Sequence, residues 1–309
     1  MNLVSLILPV FNEKSCIKAF FLASKQLETK LVSLGVKIEY VFVDDGSTDG
    51  TANEISAYFE ADNSRTIIFT RNFGKEAALY AGIEHARGDA VIPYDIDMQD
   101  PIDLIYDFVE CWTLKKARIV VGKRKDRSKE GLLKKSLASL FYKLLNALTD
   151  NPHLSNVGDF RLLDRTVVEK VLLLDERVRY TKGLMSWVGY QPVVIEYNRN
   201  ERVDGSSKFN LAKLLRLAAN GLLGFSIKPL FFVALLGALI SFLALIFALV
   251  ILFRTIFLGV DVPGYASIAI VLSILSGVQI LSTAIVGLYV GNIQEEVKRR
   301  PIYLVEKIN

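Results

Sequence analysis

Over its first 160 residues the chain alternates short aliphatic and β-branched runs with stretches of helical period. Strand-like runs fall at LVSLILPV (3–10), IEYVFVDD (38–45), RTIIFT (65–70) and AVIPYDID (90–97), and the pattern between them predicts helices near 13–34, 50–60 and 75–86. This order predicts a parallel sheet wrapped by helices, since a parallel strand pair needs a long crossover and a helix supplies it. Ligands in such sheets bind beyond the carboxyl ends of the strands, and acidic or polar clusters follow three of these runs. The opening run is apolar but carries no charged leader and no small-residue cleavage site, and Pro9 interrupts it. It reads as a buried strand rather than a signal peptide.

The pattern changes toward the other end. Residues 229–253 form a run of 25 without a charge, and residues 262–294 another of 33, joined by a link that holds Arg254 and Asp261. Each exceeds the roughly 20 residues a helix needs to cross hydrocarbon, which predicts a membrane hairpin with spans at about 229–253 and 265–291. Lys213, Arg216 and Lys228 precede it and Lys298, Arg299, Arg300 and Lys307 follow it, while Arg254 is the basic residue of the link. The balance predicts both termini on the cytoplasmic side. Two further stripes have helical spacing: Leu211, Leu214, Leu215, Ala218, Leu222 and Phe225, opposite Lys213, Arg216 and Asn220; and Leu133, Leu137, Leu140, Phe141, Leu144 and Leu148. The first reads as a helix lying at the membrane surface; the second suits either that role or packing on the head. The expected organisation is a head at 1–208, a juxtamembrane helix at 209–227, the hairpin at 228–294 and a cytoplasmic tail at 295–309.

Composition narrows the functional classes. The chain has 309 residues, 51% of them hydrophobic, with a net charge of only +4, so neither a disordered chain nor a broad basic surface for nucleic acid is implied. Two cysteines, Cys16 and Cys111, and two histidines, His85 and His153, make no disulfide framework and no zinc site. Any metal must be held by oxygen.

Two acidic clusters carry the candidate chemistry. The first is Pro9-Val10-Phe11-Asn12-Glu13 together with Asp44-Asp45-Gly46-Ser47-Thr48-Asp49-Gly50, in which glycines permit tight turns and Ser47 or Thr48 can cap the following helix. This suits a nucleotide site as well as a plain strand-to-helix turn. Neither G-x-G-x-x-G nor the P-loop pattern occurs, which disfavours a dinucleotide or P-loop cradle. The second cluster is Asp95-Ile96-Asp97-Met98-Gln99-Asp100-Pro101. At a strand end, residues two apart point to one side, so Asp95 and Asp97 can approach one hard cation, with Gln99 or Asp100 adding an oxygen. Such an ion would neutralise a diphosphate leaving group.

The runs PVFNE, VDDGSTDGT, TRNFGKEAALYAG, GDAVIPYDIDMQDP and NVGDFRLLDR, with the paired apolar spans, resemble family 2 glycosyltransferases of the polyprenyl-phosphate class. The likeness is strongest to the bactoprenol glucosyltransferases found with phage O-antigen modification genes and more distant to dolichol-phosphate mannose synthases. It implies an α/β head of the GT-A, Rossmann-like fold. It further implies that Pro9, Phe11, Glu13, Asp45 and Asp95 line the nucleotide pocket, and that Asp95, Asp97 and Gln99 hold Mg²⁺ or Mn²⁺. Asp159, in Gly158-Asp159-Phe160, matches the family's proposed catalytic aspartate, the alternative being a cap or a pairing with Arg161 or Arg165.

The basic run Lys123, Arg124, Lys125, Asp126, Arg127 and Lys129 suits either a solvated loop or partners for a lipid phosphate. Arg202, Ser206 and Lys208, in RVDGSSK, resemble the family's R-x-x-G-x-S-K loop, which closes over the donor phosphates. The implied reaction is metal-dependent, inverting transfer of glucose from UDP-glucose to undecaprenyl phosphate at the bilayer, for O-antigen or cell-envelope glycan modification. Another nucleotide sugar such as GDP-mannose, and a non-enzymatic scaffold or flippase subunit, are the rivals. Gly237, Gly277, Gly287 and Gly291 would let spans pack closely, and the resemblance implies a homo-oligomer.

Overall fold

The computed structural model describes residues 2–125, 157–174, 176–177, 181–198 and 264–309, with single positions between 233 and 257. The predicted alternation is present: β1 (Asn2–Val10), α1 (Lys14–Val32), β2 (Val36–Asp44), α2 (Thr51–Tyr58), β3 (Ser64–Phe69), α3 (Lys75–His85) and β4 (Ala90–Pro93). There follow α4 (Leu104–Lys115), β5 (Ile119–Arg124), β6 (Val157–Asp164), α5 (Arg165–Leu172), α6 (Thr181–Trp187), β7 (Val193–Tyr197), α7 (Tyr265–Lys298) and β8 (Val305–Ile308).

The strands form one eight-stranded sheet in the order β7-β5-β6-β4-β1-β2-β3-β8. β1 pairs in parallel with β2 and β4, and β2 with β3, as the alternation predicts. The expectation of a parallel sheet fails at two places, because β6 runs antiparallel between β4 and β5, and β8 runs antiparallel along β3. The fourth strand also ends at Pro93 rather than 97. Tyr94 still donates its N–H to Ile7 O at 2.8 Å, but its hydroxyl donates to Asp100 O at 2.7 Å, where the chain has folded back.

The central strands β1, β2 and β4 are covered on both faces, which explains why they are nearly continuous apolar runs. On one face Leu6 and Leu8 pack with Phe20 of α1, Ile55 of α2 and Phe108 of α4. On the other, Ile7, Val41 and Val43 pack with Ala78 of α3 and Val167 of α5. In α1 the buried positions Ile17, Phe20, Ser24, Leu27 and Leu31 recur at three- and four-residue steps, so one stripe faces the sheet.

Residues 1–221 and 300–309 belong to one compact unit and 222–299 to another. The last residues thus return to the sheet of the head, where the sequence pattern had marked no element. Thr66 and Asn309 exchange both backbone hydrogen bonds at 3.0 and 2.9 Å, and the Tyr303 ring stacks on Phe69 with centroids 4.9 Å apart. In the second unit, α7 is 34 residues long and exposes Ile268, Leu272, Ile274, Ile280 and Val290. Its segment Ile274–Lys298 is long and apolar enough to cross a bilayer. The described positions between 233 and 257 are helical, and most of the large apolar ones among them, such as Leu239 and Phe242, are exposed. The two amphipathic stripes lie outside the described residues.

Candidate functional site

At the carboxyl ends of β1 and β2 two loops are fastened together by side chains from both. Asn12 donates its N–H to Ser47 Oγ at 2.9 Å and accepts the Thr48 N–H on its side-chain oxygen at 2.8 Å. Glu13 N–H reaches Thr51 Oγ1 at 3.1 Å, and Lys14 N–H reaches Asp49 Oδ2 at 3.2 Å. Ser47 and Thr48 therefore join the two loops rather than cap α2, whose N-cap is Gly50.

A third loop is drawn in by Asp45. Its carboxylate accepts the N–H groups of Phe73 and Gly74 at 2.6 and 2.9 Å, fixing the chain just before α3. Burial pushes the Asp45 carboxyl above its ordinary range, against the pull of these two amides. Gly74 and Gly46 both have positive φ, at 98° and 76°, as these turns require.

The acidic loop beyond β4 completes the group. Asp97 accepts from Gln99 twice, from the backbone N–H at 3.2 Å and from Nε2 at 2.7 Å, and the reversal between them puts Met98 at φ 51°. Below them Asp100 accepts the Tyr197 hydroxyl at 2.6 Å and lies 3.5 Å from an Arg124 nitrogen. Burial, then the Asp100 carboxylate, push the Tyr197 hydroxyl up to about 12. Lys75, opening α3, places its ammonium 2.6 Å from Asp95 Oδ1 and 3.4 Å from Asp159 Oδ2 of β6. Partial loss of water around this ammonium would lower its pKa, but the two carboxylates hold it above its usual range.

These loops enclose a cleft of about 580 Å³ lined by Pro9, Phe11, Glu13, Asp45, Asn72, Gly74, Lys75, Asp95 and Asp97, among others. Six sequence-predicted residues thus share one hollow, with Gln99 buried behind Asp97. Sequence reading passed over Asn72, Gly74 and Lys75, although the quoted run TRNFGKEAALYAG contains all three. Lys123 and Arg124 belong to β5 itself rather than to a solvated loop, and have local partners: Glu196 at 2.9 Å for Lys123, and Asp100 and Tyr197 for Arg124. Arg165 spends its guanidinium on Ala86 O and Gly88 O, and Asp164 caps α5. Arg127, Arg202, Ser206 and Lys208 lie outside the described residues. A second hollow of about 400 Å³, lined by Glu39, Arg65, Arg87 and Asn309, opens toward the start of β3 and contains none of the predicted residues.

The donors that Asp95 and Asp97 bring to the cleft are oxygen only, which suits a hard divalent cation. Among the described residues no three acidic, histidine or cysteine side chains form a ready-made cage. Two carboxylates, with the remaining ligands supplied by a bound diphosphate and water, match the way Mg²⁺ is usually held at phosphate-transfer sites. The residues present fit such an ion.

Comparison with known proteins agrees with the arrangement. The chain is 43% identical over 305 residues to the SfII prophage-derived bactoprenol glucosyl transferase of Shigella flexneri, covering 98% of this chain and 97% of that protein. It is 41% identical to the prophage bactoprenol glucosyl transferase homolog of Escherichia coli K12, covering 99% of each. The crystal structure of mannosyl-3-phosphoglycerate synthase from Rubrobacter xylanophilus shares the fold, with a TM-score of 0.50 and 18% identity over 71% of each chain. Residues 5–172 match the family model described as glycosyl transferase family 2. The protein is a glycosyltransferase and belongs to glycosyl transferase family 2.

Proposed function

We propose that the protein transfers glucose from UDP-glucose to the phosphate of undecaprenyl phosphate, with inversion at the anomeric carbon, at the cytoplasmic face of a membrane. The observation that carries this reading is the 43% identity, over 98% of the chain, to a bactoprenol glucosyl transferase. The product would be a lipid-linked glucose for O-antigen or other envelope glycans.

In this reading the nucleotide lies in the cleft, against Pro9, Phe11, Glu13 and Asp45. Phe11, 46% exposed, offers an apolar surface to a base. Asp95 and Asp97 hold Mg²⁺ or Mn²⁺, which when bound stabilises the charge of the departing UDP. The acceptor is already an anion at neutral pH and needs little deprotonation, so Asp159 orients the attacking phosphate more than it removes a proton. Arg202, Ser206 and Lys208 close over the donor phosphates. Lys123, Arg124 and Arg127 add positive potential near the acceptor, Lys123 and Arg124 while held by their own carboxylate neighbours.

Connectivity supports paired membrane crossings in this reading. Strands β7 and β8, the described strands on either side of the second unit, share one sheet, so the intervening chain crosses a bilayer an even number of times or not at all. With α7 as one crossing, the uncharged run 229–253 supplies the other. Open space beside Gly237, Gly277, Gly287 and Gly291 leaves room for close helix packing in a homo-oligomer.

The test presents the purified full chain, in lipid, with undecaprenyl phosphate, Mg²⁺ or Mn²⁺ and a panel of labelled nucleotide sugars. Labelled lipid from UDP-glucose is the expected result. Preferential labelling from GDP-mannose would overturn the donor, and no labelled lipid from any donor would favour a scaffold.

A further inference from the structure

We propose that Lys75 is the cation that receives the phosphate of the acceptor, an inference that rests on the transfer to a polyprenyl phosphate set out above. The Lys75 ammonium is where two parts of the site meet. It contacts Asp95 Oδ1 at 2.6 Å, on the loop that borders the nucleotide cleft, and Asp159 Oδ2 at 3.4 Å, on the antiparallel strand β6. Lys75 and Asp95 line the cleft itself.

An acceptor phosphate brought to this junction meets Asp95, Asp97, Asp159 and the donor's diphosphate, all negative. Its approach requires a positive group at the point of contact. Lys123 and Arg124, the basic residues of β5, are engaged by Glu196 and by Asp100 with Tyr197. Lys75 already touches Asp159, the residue that orients the acceptor.

The local structure suits an exchange of partners. Asp45 clamps the N–H groups of Phe73 and Gly74, so the backbone entering α3 is fixed. The ammonium stands at the end of a flexible four-carbon stem with three donors, and it is partly exposed, with 44% of the side chain open to solvent. Once Asp95 is committed to a divalent cation, the ammonium keeps Asp159 and trades Asp95 for a phosphate oxygen. In the absence of substrate, Lys75 balances the charge of the two carboxylates.

The test is equilibrium binding to the full-length protein in detergent, with Mg²⁺, of three probes: undecaprenyl phosphate, undecaprenol and UDP. Wild type is compared with Lys75→Met and Lys75→Arg. Lys75→Met is expected to weaken undecaprenyl phosphate at least tenfold while leaving undecaprenol and UDP within twofold, and Lys75→Arg to recover much of the loss. Retained UDP affinity also shows that the variant is folded. The inference is overturned if Lys75→Met binds undecaprenyl phosphate like wild type, or loses UDP as strongly as the lipid, which would assign Lys75 to the donor. Turnover with UDP-glucose is a separate readout, so an error in the sugar donor leaves the comparison of lipid affinities decisive.

Discussion

The backbone of Gly46 passes so close to that of Arg71 that a methyl group on Gly46 would stand 2.8 Å from the Arg71 carbonyl carbon and 2.9 Å from the Asn72 nitrogen. Both walls of this contact are main chain, and φ at Gly46 is 76°, so neither side can yield cheaply. Gly46→Ala is expected to destabilise the head by roughly 2 kcal/mol, from the strained backbone and the displaced loop, and to weaken UDP. Thermal denaturation with a UDP titration checks it; an unchanged melting temperature and affinity would show that the loops part freely.

Asp97 holds Gln99 through two hydrogen bonds and faces the cleft beside Asp95. Asp97→Ala removes half of the carboxylate pair and is expected to lower turnover by on the order of 100-fold or more at saturating Mg²⁺ or Mn²⁺. Rates measured across a metal titration decide the matter, and full activity would remove the metal from these residues.

Asp164 ties three elements through one carboxylate. It caps α5 by accepting the Thr166 N–H at 3.0 Å and accepts the Trp112 indole N–H of α4 at 2.8 Å. Burial pushes this carboxyl up, but the hydrogen bonds from Thr166 and Trp112 outweigh it and the group titrates below its ordinary 3.8. A depressed acid stabilises the fold above its unfolded value and loses that contribution as pH falls through the folded one. Asp164→Ala should therefore cost about 1 kcal/mol near neutrality, and the gap from wild type should shrink below pH 3.8. Melting curves of both proteins against pH measure it; a gap that persists at the lowest pH would contradict the assignment.

Tyr303 binds the returning tail to the head by two kinds of contact. Its ring stacks on Phe69 and its hydroxyl donates to Glu84 at 2.6 Å. Burial, then Glu84, hold that hydroxyl above its ordinary range. Tyr303→Phe should cost about 1 kcal/mol and Tyr303→Ala about 3 kcal/mol. Hydrogen exchange at Thr66 and Thr70, whose N–H groups bond to Asn309 and Leu304, should speed up most in Tyr303→Ala.

The first half of the fold was legible because β1 to β4 and their helices follow one another in sequence and pair with near neighbours. The alternation of apolar strands with helical stripes carries that information locally. The insertion of β6 between β4 and β5 was not legible, since strand order beyond consecutive elements depends on contacts that no local pattern records. VEKI, the whole of β8, is too short and polar to stand out; only its partner β3 makes it a strand. The carboxylates of the cleft were visible as clusters at strand ends, but Lys75 was hidden in a run that reads as the start of an ordinary helix. Its significance comes from Asp159, which lies 84 residues further on and reaches it through the antiparallel strand. The basic residues Lys123 and Arg124 were visible by type, while Glu196 and Tyr197, the neighbours that engage them, come from β7.

Strand β8 also dictates the order in which the molecule is completed. Ile67 and Ile308 pair although they are ~240 residues apart in sequence, so the outer edge of β3 has no partner from β8 until the apolar segments have left the ribosome. During synthesis that edge is open to pairing with other chains, and the final residues act as its built-in cover.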